Sequence, residues 1–299
     1  MEIPDNLKEL YRHWETHSAP RDHNKNLNLP EEIEYFINER MRVWEKKQLG
    51  ENPLYTLDPI LQSYRFCNIY RELDRQTIEI HTALKSFRDD FELWLLNMAF
   101  QRFVSRPETV EKVGFLSFDT TENAKVMASL ENLPRPKYGN AYLFPVSIIQ
   151  KSDYPTREAF FCLYLPKVIK EIASVIDTFD NTTVANALEK ILPAFGFNFR
   201  FHWSEILIDV AYQSPDKIDL FKDFHVGPGA VPTAKSLNPD ENPVETVNKL
   251  VGSSPKSFPH LEFNGKPVLL SAENWEGIFC EYRKYVNLKS GKGRSRKYA

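Results

Sequence analysis

The run Arg71-Glu72-Leu73-Asp74-Arg75 sets arginines on both sides of two carboxylates. Such a set can do two kinds of work. On a cleft wall, guanidinium groups hold phosphate bidentately, and a neighbouring carboxylate serves as a base or as a clamp on the arginine. On a solvated helix face the same residues form intrahelical ion pairs with no chemistry attached. Spacing alone does not choose between them. The flanking Phe66, Ile69, Tyr70, Leu73 and Ile80 fall near i, i+3, i+4, i+7, which predicts one helix through residues 65–80 with that face inward. Arg71, Asp74, Arg75 and Ile78 would then share the adjacent face.

Three further stretches hold groups suited to anions. "DFHVGPGAVP" contains Gly227-Pro228-Gly229, a stiff kink between two residues without Cβ, where exposed N–H groups can meet an anion; a plain turn is the competing reading. "LPAFGFNFRFHW", residues 192–203, predicts a helix ending at Leu192–Pro193, a turn at Gly196 and a second helix. From Arg283 to Lys297 basic residues accumulate without an acid, and Tyr282, Tyr285 and Tyr298 lie among them. That suits a surface tracking a nucleic-acid strand, and equally a solubilising tail. "GSSPKS" and "KSGKGRS" lack the spacing of a phosphate-binding P-loop. No HExxH, Gly-x-Ser-x-Gly or Cys/His metal set occurs, so no metal and no cofactor are expected.

The elements that must position these groups follow from composition and pattern. The chain has 299 residues, 42% hydrophobic and 13% aromatic, enough for a sizeable core. The net charge of −3 confines any nucleic-acid site to a local basic patch. Cys67, Cys162 and Cys280 are too sparse for a disulfide framework. The N-terminus is no signal peptide, and no apolar run is long enough for a bilayer, so a cytoplasmic monomer away from membranes is expected. Residues 1–30 are polar and expected to form a flexible arm. Residues 31–299 are expected to form a single, mainly α domain, with room for two lobes flanking a pocket. Helices are predicted from Pro30 to Gly50, over 87–103, over 164–192 and over 272–288. Residues 134–145 read as a loop with room for a short hairpin, and 226–270 as loop-rich with short strands such as "KPVLL".

In this order, "YTLDPIL", "RFCNIYRELDRQT", "LPAFGF" with "ILIDVAY", "HVGPGA" and "CEYRKY" with "GKGRSRKY" resemble the α-glutamyl/putrescinyl-thymine pyrophosphorylase group. That group includes the helical domain found beside 5-hydroxymethyluracil DNA kinases. The Phe-Cys-Asn-x-x-Arg-Glu-x-Asp-Arg run is the most specific part. The group is placed with the helix-hairpin-helix DNA glycosylases, and the resemblance therefore implies a glycosylase-like helical fold with loop-rich insertions. It implies double-stranded DNA carrying modified bases as partner. Two activities are implied. One is a glycosylase that flips and excises a hypermodified, bulky 5-substituted pyrimidine of phage-type DNA, in antiphage defence. The other is a transferase that replaces pyrophosphate on an activated 5-hydroxymethyluracil with an amine or amino acid. Excision is the leading expectation, and a non-catalytic reader of modified DNA is a third.

The resemblance also assigns residues. Backbone N–H groups of Ala194, Phe195 and Gly196 would hold a DNA phosphate, although Ala194 stands where the superfamily's hairpin has another glycine. A catalytic Asp is expected downstream of that hairpin. Asp209 leads, with Asp219 and Asp223 behind it, and Asp74 is a further catalytic candidate. The substrate-binding set is Arg71, Glu72, Arg75, Gly227, Pro228, Gly229, Glu281, Lys284 and Tyr285. In it Arg71 and Arg75 meet phosphate or the base substituent, Glu72 and Asp74 orient them, and Lys284 pairs with Glu281. Aromatic side chains of "KYGNAYLF" would stack on the flipped base.

Overall fold

Acids open the first long helix and lysines close it, matching the helix dipole: Glu31, Glu32 and Glu34 in the first turn, Lys46 and Lys47 in the last. Later helices start on side-chain caps at Asp58, Asp90, Asp119, Thr183, Asn242 and Ser271. The computed structural model describes residues 1–13, 29–139 and 144–292. In chain order its elements are α1 (Glu31–Gln48), α2 (Pro59–Ser63), α3 (Arg75–Ala83), α4 (Phe91–Val104), α5 (Pro107–Val113), α6 (Thr120–Asn132), α7 (Val146–Lys151), α8 (Arg157–Ala159), α9 (Leu165–Asp177), β1 (Thr182–Thr183), α10 (Val184–Phe195), α11 (Arg200–Gln213), β2 (Ile218–Asp219), α12 (Val231–Leu237), α13 (Pro243–Leu250), β3 (Glu262–Phe263), β4 (Lys266–Pro267) and α14 (Ala272–Lys289). A π-helical turn, Phe160–Tyr164, joins α8 to α9. The fold is mainly α, as its sequence predicts. No helix among the described residues is long and apolar enough to cross a membrane.

The chain divides into two compact units, Met1–Asp74 with Asp219–Ala299, and Arg75–Ile218. In the first, α14 packs on α1, α2, α12 and α13. Phe36 sits among Phe66, Tyr282 and Tyr285 with ring centroids 5.2 to 5.8 Å away for Tyr285, Tyr282 and Phe66. Strands β3 and β4 pair antiparallel, Glu262 opposite Pro267. The described part of the expected N-terminal arm belongs to this core. Ile3, Leu7, Leu10, Tyr11 and His13 are buried, and Ile3 N–H donates to Glu262 O at 2.9 Å. Burial of those apolar side chains outweighs the polar average that suggested an arm. Residues 14–28 lie outside the described residues.

In the second unit α4 is buried from Trp94 to Val104 and is packed by α9 and α11, with α10 lying against both of these. Phe103 is ringed by Phe144, Phe161, Phe195, Phe199 and Trp203 at 5.1 to 6.5 Å between centroids. Burial of that many aromatic rings is the main stabilising term here.

Three local expectations are corrected. Residues 65–80 are not one helix. A non-helical stretch leads into a 3₁₀ turn, Arg71–Leu73, Asp74 is extended at ψ 131°, and α3 starts at Arg75. Asn68 and Asp74 bond to nearby backbone, which competes with helix formation. Residues 164–192 break at Thr178 and resume at Val184, and Pro193 lies inside α10 rather than ending it. Within 226–270, "KPVLL" does begin in a strand, but α12 and α13 are helices whose proline starts were read as loop.

Candidate functional site

In the first unit, the most specific sequence run folds as a strapped loop. Arg40 of α1 donates from Nη2 to Phe66 O at 3.0 Å and to Asn68 Oδ1 at 2.7 Å. Asn68 N–H donates to Asp74 Oδ1 at 2.8 Å, and its amide Nδ2 donates to Leu73 O at 2.7 Å and Asp74 Oδ1 at 3.1 Å. From α14, Glu281 Oε2 accepts the Cys67 N–H at 2.9 Å. Lys284 Nζ donates to that same carboxylate oxygen at 3.0 Å and to Arg65 O at 2.6 Å, lying 4.6 Å over the Phe66 ring. The loop thus carries its cations and carboxylates on a scaffold of two helices. Glu281 beside Cys67 pushes that thiol's pKa well up, against a nucleophilic role.

Asp74 is the half-buried centre of this network. Burial pushes its pKa up to about 6, opposed by the Asn68 N–H and by Arg40 and Arg71, and reinforced by Glu281. A carboxyl poised there exchanges protons near neutral pH. Arg71, with a side chain 12% exposed, points Nε at Glu273 Oε1 4.0 Å away. Glu72 is fully buried, 3.2 Å from His13 Nε2, so its carboxylate lies in the core of this unit. Tyr285 Oη donates to Asp58 Oδ2 at 2.7 Å, so it braces the N-cap of α2. Gly227 N–H donates to Glu276 Oε1 at 3.0 Å, and a Cβ at Gly229 would lie 2.6 Å from Cys280 Sγ. The Gly-Pro-Gly kink, Pro228 included, is therefore seated on α14 by close approach. Asp219 Oδ1 accepts the Phe221 N–H, and Asp223, at φ 49°, exchanges hydrogen bonds with Asn248. Both carboxylates are occupied in turns.

The second unit holds Asp209 and Arg75. Asp209 is fully buried: Arg102 Nε donates to Oδ2 at 2.6 Å, Arg102 Nη2 to Oδ1 at 2.7 Å, and His81 Nε2 lies 3.1 Å from Oδ1. This clamp ties α3, α4 and α11 together and engages both carboxylate oxygens, so the aspartate expected to lead catalysis lies in a buried ion-pair network. Arg75, 79% exposed, pairs with Glu79 at 2.6 Å on its own helix and so is a solvated-face arginine. Ala194 and Phe195 lie inside α10, and the Gly196 N–H, at φ 78°, donates to Leu192 O and Pro193 O. These N–H groups are spent on a helix C-terminus, whose dipole repels phosphate, so the hairpin does not supply the expected phosphate grip. Among the described residues no group of three or more His, Cys, Asp or Glu is placed to hold a metal.

The profile of the family described as 5-hmdU DNA kinase, helical domain, matches residues 28–295. This chain belongs to that helical-domain family. It is also 32% identical over 129 residues to the 5-hmdU DNA kinase of Bacillus phage SP10, an alignment covering 38% of this chain and 20% of that protein. The chain thus spans about a fifth of the length of that relative. No solved structure matches it.

For this helical-domain chain, sequence reasoning found Asp74, Arg71, Glu281 and Lys284, which the fold gathers around one loop. It missed Arg40 and Asn68, which hold that loop, and Arg102 and His81, which bind Asp209. Arg102 had a signal: it is a lone basic residue in the apolar run "LWLLNMAFQRFV", where a buried charge requires a partner.

Proposed function

We propose that this chain acts on a 5-substituted pyrimidine in DNA, as the name of its kinase relative suggests, and that the step is group transfer. The observation carrying the reading is Asp74, a half-buried carboxyl with its pKa raised to about 6, set in one network with Arg40 and Arg71 and near the Glu281–Lys284 pair. An amine attacking the 5-methylene of an activated 5-hydroxymethyluracil forms a C–N bond. The C–O bond to pyrophosphate breaks, the pyrophosphate leaves with that electron pair, and the Asp74 carboxylate takes the proton the amine gives up. Arg71 supports the leaving group, because guanidinium matches phosphate oxygens.

Excision of the base is the second reading, because the same carboxyl would activate water toward the sugar. It rests on Asp74 rather than Asp209, whose oxygens are engaged by Arg102. Incubating the protein with DNA carrying 5-pyrophosphoryloxymethyl-deoxyuridine and an amine, then digesting the DNA to nucleosides, separates the two. A heavier nucleoside with released pyrophosphate supports transfer. A free base with abasic sites supports excision and contradicts transfer.

A further inference from the structure

The sequence predicts residues 134–145 as a loop with room for a short hairpin and as a source of stacking aromatics; residues 135–138 of it line a basic cleft in the second unit. The loop backbone is held at several points. Gly139 N–H donates to Val104 O at 2.9 Å, Thr109 Oγ1 to Lys137 O at 2.8 Å, and Arg106 to Pro136 O. A Cβ on Gly139 would lie 1.8 Å from Ser105 O, so only glycine lets the loop lie this close to the end of α4. Over this loop opens a cleft of about 550 Å³ lined by Arg135, Lys137, Tyr138, Arg157 and Glu158. A smaller hollow of about 130 Å³ continues it past Arg135 to Arg106 and Lys112.

The charge count there is lopsided. Glu158 is taken by Lys137 at 2.5 Å, and Glu108 faces Arg106 at 3.8 Å. Arg135 and Lys112 have no ion pair among the described residues, and Arg157 lies 5.5 Å from the Tyr138 ring centroid. Surplus cations beside an aromatic face, in a chain of net charge −3, fit a polyanion with stacking groups. We propose that this cleft binds the phosphodiester backbone of a DNA strand, an assignment that rests on the DNA-directed reading above. The two hollows share Arg135, Pro136 and Lys137 in their walls, so the cations are spread along the loop rather than gathered at one seat, which favours a strand over a free nucleotide.

The test is fluorescence anisotropy of a labelled DNA duplex and its single strand with the whole chain, across a salt series. The pair Arg135→Ala with Arg157→Ala should weaken binding about tenfold or more and flatten the log–log salt dependence by about 2, since each lost phosphate contact removes about 0.9. Lys125→Ala, on the exposed face of α6, should change neither, and unchanged melting curves report intact folding. Wild-type affinity and slope in the double variant overturn the proposal. So does displacement of the DNA by inorganic phosphate or a mononucleotide at concentrations matching the oligonucleotide's own affinity, which would make the cleft a nucleotide seat. Unaltered binding by the double variant with normal product formation sinks only this surface. Normal binding without product sinks only the proposed reaction.

Discussion

Asp74 has a folded pKa of about 6, above the ordinary value of 3.8. Between those values the folded state holds a proton that the unfolded state has lost, so this group's contribution to stability falls as pH rises through that window and is flat above it. Asp74→Asn keeps an acceptor for Asn68 and removes the buried charge. It should therefore melt higher than wild type at pH 7 and not at pH 4, by calorimetry, while losing product formation by about 10²–10⁴-fold. The wild-type rate should rise with pH through about 6 and then level. Asp209 is the reverse case. Asp209→Asn leaves Arg102 buried without its counter-charge, and denaturant titration should show a loss of about 3–5 kcal/mol. An unchanged midpoint would contradict the clamp. Both aspartates were candidates from sequence, but the burial and partners that distinguish them come from residues as distant as Arg40, Arg102 and His81.

At the scale of elements, helices with clear end signals and clean periodicity were legible: Pro30 and the acids after it open α1, side-chain caps at Asp90 and Ser271 open α4 and α14, and apolar spacing places all three. The 65–80 segment was not. Its apolar spacing mimics a helix, but the backbone of residues 66 and 67 is claimed by Arg40 and Glu281, which no local window contains. Substitutions on α14 and in the loop seated against it test that contact. Gly229→Ala drives a Cβ toward Cys280 Sγ and should lower the melting temperature, an overpacking cost of about 1–3 kcal/mol. Adding Cys280→Ala should recover most of it, because Cys280 Cβ lies 3.7 Å away. Strictly additive losses would show that Gly229 is needed for another reason. Ser271→Ala, which removes the capping box of α14, should cost about 1 kcal/mol.

At the scale of the whole chain, an overall negative charge with a local basic cleft predicts that the proposed DNA association is strongly salt-dependent. The mainly α class and the family were legible, the latter because one ten-residue run is so specific. The division at Asp74–Arg75 was not, since it cuts through that very run. The role proposed for Asp74 is chemistry on a 5-substituted pyrimidine in DNA. It is tested most directly by mass spectrometry of nucleosides digested from pyrophosphorylated DNA after incubation with an amine and either wild type or Asp74→Asn. A heavier nucleoside from wild type and none from the folded variant is the predicted result; equal product from both would contradict it.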